Sequence, residues 1–355
     1  MGHDHQHDHD HGHEDCGCGH DHSHDHGHDH DHGHGHDHHD HEHSHEAPAS
    51  GAVRILYIDP IAGAAGDMFL GALVDAGADF DRLKADLSKL NVPGFDLVRS
   101  TVKRQSIAGT KVDVVVTDNE THRHLGDLVG IIGAANLPDE VKENSLKALF
   151  ALAQAEAEAH RVPLHDVHLH EVGGLDCLVD IVGTCLAIHQ LGVAHVISGP
   201  VALGTGTVAC AHGRMPVPAP GTLAILKNFP VRKTQNEGEM TTPTGAALLV
   251  ALAHPTLAPL VMVPKRIGYG AGTKDKREIA NLLRVVVAET TRQFLPAELV
   301  ADHGHDHHHD HDHDDDCCGH DHSHDHEGCD HEHGECKHDH HHHDGHDHGH
   351  HHHAH

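Results

Sequence analysis

The histidines divide this chain before any motif does. Of 55, 20 lie in residues 1–46 and 25 in residues 303–355, which leaves ten for the middle segment. The acidic residues divide in the same way: 27 of 55 fall in residues 47–302, beside 23 of the 24 lysines and arginines. The middle therefore carries a formal charge of −4, and the ends hold the other −27 of the chain's −31. Repeats of His-Asp and His-Gly bury too little apolar surface to offset the entropy of ordering a backbone. Residues 1–50 and 296–355 are thus expected to be disordered tails around a globular core, 51–295. That core is long enough for one large domain or two subdomains, with a break expected near 192–200.

Imidazoles at alternate positions, interleaved with carboxylates, offer overlapping sites for borderline divalent ions, and His5, His7, His322 and His324 represent them. The bland reading is a solvated spacer, but histidine at this density has few uses other than binding metal. Affinity alone ranks Ni²⁺ below Cu²⁺ and near Zn²⁺, so the tails do not choose their metal. Cys16, Cys18, Cys317, Cys318, Cys329 and Cys336 lie among these histidines and read as soft ligands, not a disulfide framework. Cys177, Cys185 and Cys210 read as ordinary buried thiols. No signal peptide opens the chain and no apolar run has transmembrane length, so a cytoplasmic protein is expected. Two tyrosines, six phenylalanines and no tryptophan argue against a base-stacking surface, and the negative charge argues further against nucleic acid and anionic membrane as partners.

Within the core, residues 165–180 gather three histidines and four acidic side chains. His168 and His170 would share a face if their segment is extended, with Glu171 beside them as a third candidate metal ligand. Asp176 and Asp180 fall one turn apart on an otherwise apolar helix that runs to Leu191. Buried carboxylates need a cation, a proton or donors, so both are candidate catalytic groups, as is His212 in His212-Gly213. A satisfied core network explains the cluster equally well at this point.

Two further stretches resemble anion cradles. A buried strand closed by Asp59-Pro60 leads through Gly63-Ala64-Ala65-Gly66-Asp67 into a helix from about Met68 to Ala76. Gly63, Gly66 and Asp67 are candidate cofactor-binding residues there, although Asp67 taken alone reads as a helix cap. Thr241, Thr242 and Thr244 precede an apolar helix at 246–253, and capping accounts for only one of their hydroxyls. Other elements are expected at 79–90 (helix), 95–102 and 111–117 (paired strands), 138–159 (helix), 196–204 (strand) and 281–287 (last strand). His122 and His124 read as a solvated loop or as ligands. Helices and strands mix without strict alternation, which predicts an α/β (α+β mixed) class with a mixed sheet and packed helices.

Taken in chain order, these motifs resemble the LarC family. The resemblance rests on Asp59-Pro60-x-x-Gly63-x-x-Gly66-Asp67-Met68 and on His168-x-His170-Glu171-Val172-Gly173 with Asp176 and Val179-Asp180-Ile181-Val182-Gly183. It continues in His212-Gly213-x-x-Pro216-Val217-Pro218-Ala219-Pro220, Thr241-Thr242-Pro243-Thr244-Gly245 and Gly268-Tyr269-Gly270-Ala271-Gly272. It implies insertion of Ni²⁺ into pyridinium-3,5-bisthiocarboxylic acid mononucleotide, nickel becoming bonded to two sulfurs and a ring carbon while CTP is hydrolysed to CMP. Such an enzyme is a nickel chelatase or cyclometallase, a lyase forming a carbon–metal bond, and its product is the nickel-pincer cofactor of lactate racemase, the recipient. The family's CTP site, with Mg²⁺ or Mn²⁺, lies on a second domain past the Asn281-x-Leu283-Arg284 strand. Here a His-rich tail follows instead, so a separate second-domain polypeptide is expected as partner, and a homo-oligomer is left open.

Insertion needs a metal source, a base for the ring proton and a clamp for the mononucleotide. The tails would concentrate nickel for His168, His170 and Glu171, and Asp176, Asp180 or His212 would take the proton. The alternative is a non-enzymatic nickel storage or delivery protein for hydrogenase or urease maturation. A metal-dependent hydrolase using His168, His170 and Asp180 explains the cluster but not the tails.

Overall fold

The computed structural model of the protein describes residues 51–117, 123–167, 169, 174–210 and 213–300. The chain enters on β1 (Ala52–Asp59), continues through α1 (Gly66–Asp75) and α2 (Phe80–Ser88), and turns back in a hairpin of β2 (Phe95–Arg104) and β3 (Ile107–Val116). Three helices follow: α3 (Leu125–Ala134), α4 (Asp139–His160) and α5 (Leu175–Leu191). Short strands β4 (His195–Ser198), β5 (Val201–Thr205), β6 (Thr207–Cys210) and β7 (Gly213–Pro216) lead into α6 (Pro220–Ile225) and β8 (Val231–Glu237). Then come α7 (Pro243–Leu252), β9 (His254–Pro255), β10 (Val263–Ala271), β11 (Leu282–Thr291) and α8 (Ala297–Val300).

Seven strands form one mixed sheet in the order β2-β3-β10-β11-β1-β4-β9, which makes the class α/β. β1 is its apolar centre: Ile55, Leu56 and Ile58 are fully buried. It pairs antiparallel with β11 from Ala52 opposite Thr291 to Asp59 opposite Arg284, and parallel with β4 on its other side. The main core lies between the sheet and the helices α1, α2, α4, α5 and α7. A smaller cluster of Ile55, Ile197, Val286, Ala288 and Leu295 fills the other side under residues 260–262. No helix among the described residues is long and apolar enough to cross a membrane.

Local chemistry explains most boundaries. Asp79 caps α2 by accepting from the amides of Asp81 and Arg82. α5 ends where Gly192 turns left-handed, with φ of 61°. Two expectations need correction. The apolar run 196–204 is not one strand: it breaks at Gly199-Pro200, and β4 joins the large sheet while β5 pairs with β8. Periodicity within the run cannot reveal the change of partner, whereas proline's missing amide enforces it. The stretch Arg266–Gly272, which the sequence suggests follows a strand, belongs through Ala271 to β10 itself. A Cβ at Gly268 would overlap the carbonyl of Ala72, and one at Gly270 the carbonyl of Met68. These glycines let α1 lie main chain to main chain on the sheet.

Candidate functional site

Two glycine- and threonine-rich loops, remote in sequence, are zipped together. Gly63, at φ of 93°, turns the chain out of β1 so that Ala64 donates its amide to Met240 O (3.1 Å) and Thr242 donates to Ala64 O (3.0 Å). Side chains would part them, since a Cβ on Gly63 overlaps Met240 O and one on Gly245 overlaps Ala64 O. The cradles before α1 and α7 are therefore one surface. Its three hydroxyls have partners inside the protein. Thr242 caps α7 by accepting from Gly245 N (3.2 Å). Buried Thr241 donates to Ala202 O (2.8 Å), and Thr244 Oγ1 lies 3.5 Å from Cys177 Sγ.

Through that last contact the first turn of α5 joins the surface. Asp176 is exposed on this turn. Asp180, one turn further, presses its Oδ2 against the Cα of Gly66, where any Cβ would overlap the carboxylate. Asp180 is partly accessible as a whole, but its Oδ1 is buried and has no hydrogen-bond partner among the described residues. Burial pushes its pKa well above the usual carboxylate range; the charges of Asp67 and Asp176 push the same way, and Lys111 opposes them.

Asp67 does not cap α1. The cap position is Ala65, which contributes no side-chain bond, and Asp67 sits in the first turn. Its Oδ2 accepts from Lys111 Nζ (2.6 Å) and from the Thr273 hydroxyl (3.3 Å). Lys111, only 6% exposed, makes a second ion pair with Asp113 Oδ1 at 2.8 Å. Its sequence surroundings in β3 gave no signal, because its partner on α1 is 44 positions away. The charges of Asp67, Asp176 and Lys111 thus act on Asp180 where the first turns of α1 and α5 approach each other.

Burial raises the thiols of Cys177 and Cys185 to about 12, which fits inert core cysteines. His124 opens α3, its amide donating to Asp127 Oδ2 (3.1 Å). His122, His168, His170, Glu171 and His212 lie outside the described residues, as do His5, His7, His322 and His324 and the tail cysteines. Among the described residues, no three His, Cys, Asp or Glu side chains are grouped so as to hold a metal.

Fold and site together define a mixed α/β protein with a carboxylate cluster where the first turns of α1, α5 and α7 converge. The chain belongs to the nickel insertion protein family, which matches it over residues 56–315. It is similar to the pyridinium-3,5-bisthiocarboxylic acid mononucleotide nickel insertion protein of Desulfitobacterium hafniense (strain DSM 10664 / DCB-2), 43% identical over 238 residues, covering 67% of this chain and 59% of that one. The protein of the same name from Geobacillus kaustophilus is 41% identical over 251 residues, covering 68% and 61%. A putative nickel insertion protein of Myxococcus xanthus is 46% identical over 234 residues, covering 65% and 60%. The chain thus spans less than two thirds of the length of these relatives. No solved structure matches it.

Proposed function

We propose that this chain supplies the metal-inserting site that places Ni²⁺ into pyridinium-3,5-bisthiocarboxylic acid mononucleotide. The observation that carries this reading is Asp180: a carboxyl with an unpartnered, buried oxygen, set among Asp67, Asp176 and Lys111. Forming a nickel–carbon bond breaks a ring C–H bond, and its electron pair goes to nickel while the proton needs an acceptor. Asp180 is our choice for that acceptor, ahead of Asp176 and His212. His168, His170 and Glu171 would present the nickel. The joined loops, with Gly63, Gly66 and Asp67 on one side and Thr241, Thr242 and Thr244 on the other, would hold the mononucleotide through main-chain groups. CTP with Mg²⁺ or Mn²⁺ would act on a further domain, and a lactate racemase would receive the product.

The test mixes purified chain, nickel, CTP and the bisthiolated mononucleotide, with and without a polypeptide carrying the further domain, and follows product by absorbance and mass. H168A/H170A should abolish insertion while bulk nickel binding, dominated by the tails, stays nearly intact. Full insertion by that double variant would sink the reading. The histidine content of the tails favours a second reading, non-enzymatic nickel storage or delivery for hydrogenase or urease maturation.

A further inference from the structure

Lys111 is a buried ammonium that the reaction outlined above leaves unused. Burying such a charge is costly unless it is paired and hydrogen-bonded. Asp67 and Asp113 supply both at 2.6 and 2.8 Å. Burial pulls the Lys111 pKa down, but Asp67 and Asp113 outweigh it and hold the amine above its ordinary value. Fastening α1 to β3 does not require this charge. At the other end of the helix, Thr110 on β3 already donates to Asp75 Oδ1 (2.7 Å), and the main chain at Gly71 meets the carbonyl of Thr110.

We propose that Lys111 is a positioning residue of the insertion site: clamped between Asp67 and Asp113, its ammonium holds Asp67 at the first turn of α1 and fixes the charge that Asp180 faces. The proposal rests on the reading of Asp180 as proton acceptor. Asp180 Oδ2 lies against Gly66, next to Asp67 in α1, and the charges that act on it are those of Asp67, of Lys111 on β3 and of Asp176 on its own helix, beside the Cys177 thiol. Without Lys111, three carboxylates crowd together and Asp180 keeps its proton to higher pH. Without the charge of Asp67, Asp180 releases it at lower pH. An arriving nickel dication acts in the same sense as Lys111. Both favour the ionised form, so that Asp180 gives its own proton to solvent before it accepts the one from the ring.

The test titrates Asp180 in the full chain without nickel or mononucleotide, using ¹³C-aspartate labelling and NMR, with D180N assigning the signal. K111M should raise the midpoint by about one pH unit and D67N should lower it by a similar amount. K111R should stay near the wild-type value. In insertion assays the acidic limb of the pH profile should move up in K111M alone. An unmoved midpoint, or a shift in the same direction for K111M and D67N as collapse of the site would give, overturns the proposal. Normal insertion by D180N would overturn Asp180 as the proton acceptor, while the midpoint comparison still decides Lys111 by itself.

Discussion

Burial favours the neutral form of Asp180, so ionising it costs stability. In an unfolded chain an aspartate titrates near 3.9, whereas here burial and two neighbouring carboxylates raise the value. A raised acid leaves the fold at full stability while the proton is on, and stability falls as pH climbs through the interval above 3.9. D180N should therefore melt near the wild-type temperature at pH 4 and above it at pH 7 to 8, on the order of 2–4 °C for each kcal/mol relieved. Equal melting at both pH values would refute the neutral carboxyl. Cys177 and Cys185, raised to about 12, should resist iodoacetamide at pH 8 in the native protein and react once it unfolds, as peptide mass mapping would show. At this scale the i, i+4 spacing of Asp176 and Asp180 was readable, and both do lie on α5. The sequence misjudged Asp67, because a carboxylate in a first helical turn looks like a cap until Lys111 arrives from another element. Lys111 itself was invisible for the same reason.

Among the elements, helices were the more legible. α4 and α5 fall where their apolar periodicity and the Pro138 and Leu191 boundaries put them. The β2–β3 pair was legible too, but the partners of the run 196–204 were not, because it fits either sheet until Gly199-Pro200 breaks it. The glycines of β10 make room for α1, which their sequence alone does not reveal. G270A should destabilise the protein by about 3 kcal/mol or more, since the obstacle is the Met68 carbonyl and main chain gives way less readily than a side chain. T242A removes the cap of α7 and should cost about 1 kcal/mol, read as a lower denaturation midpoint at unchanged slope. If T242A also weakens insertion, the loop zipped to Ala64 positions the site as well as the helix.

For the whole molecule, the tails and the core should separate by what each does with nickel. Removing residues 1–50 and 316–355 leaves the entire family match in place. An insertase of that length should keep its activity at saturating nickel and lose most of its bulk metal capacity, whereas a storage protein would lose its function with its histidines. In the full chain, bulk loading should collapse as pH drops through about 6.5, because protonated imidazole cannot ligate. The seam between α1 and β10 bears on a different variable. Carbonyls of the helix rest on glycine main chain there, with no rotamer between the two surfaces and little void to eliminate. Hydrostatic pressure unfolds proteins by removing such voids. The amides of α1 and of Gly268–Gly270 should thus be the last to exchange in compressed solution, and the first turn that carries Asp67 should outlast the periphery of the fold.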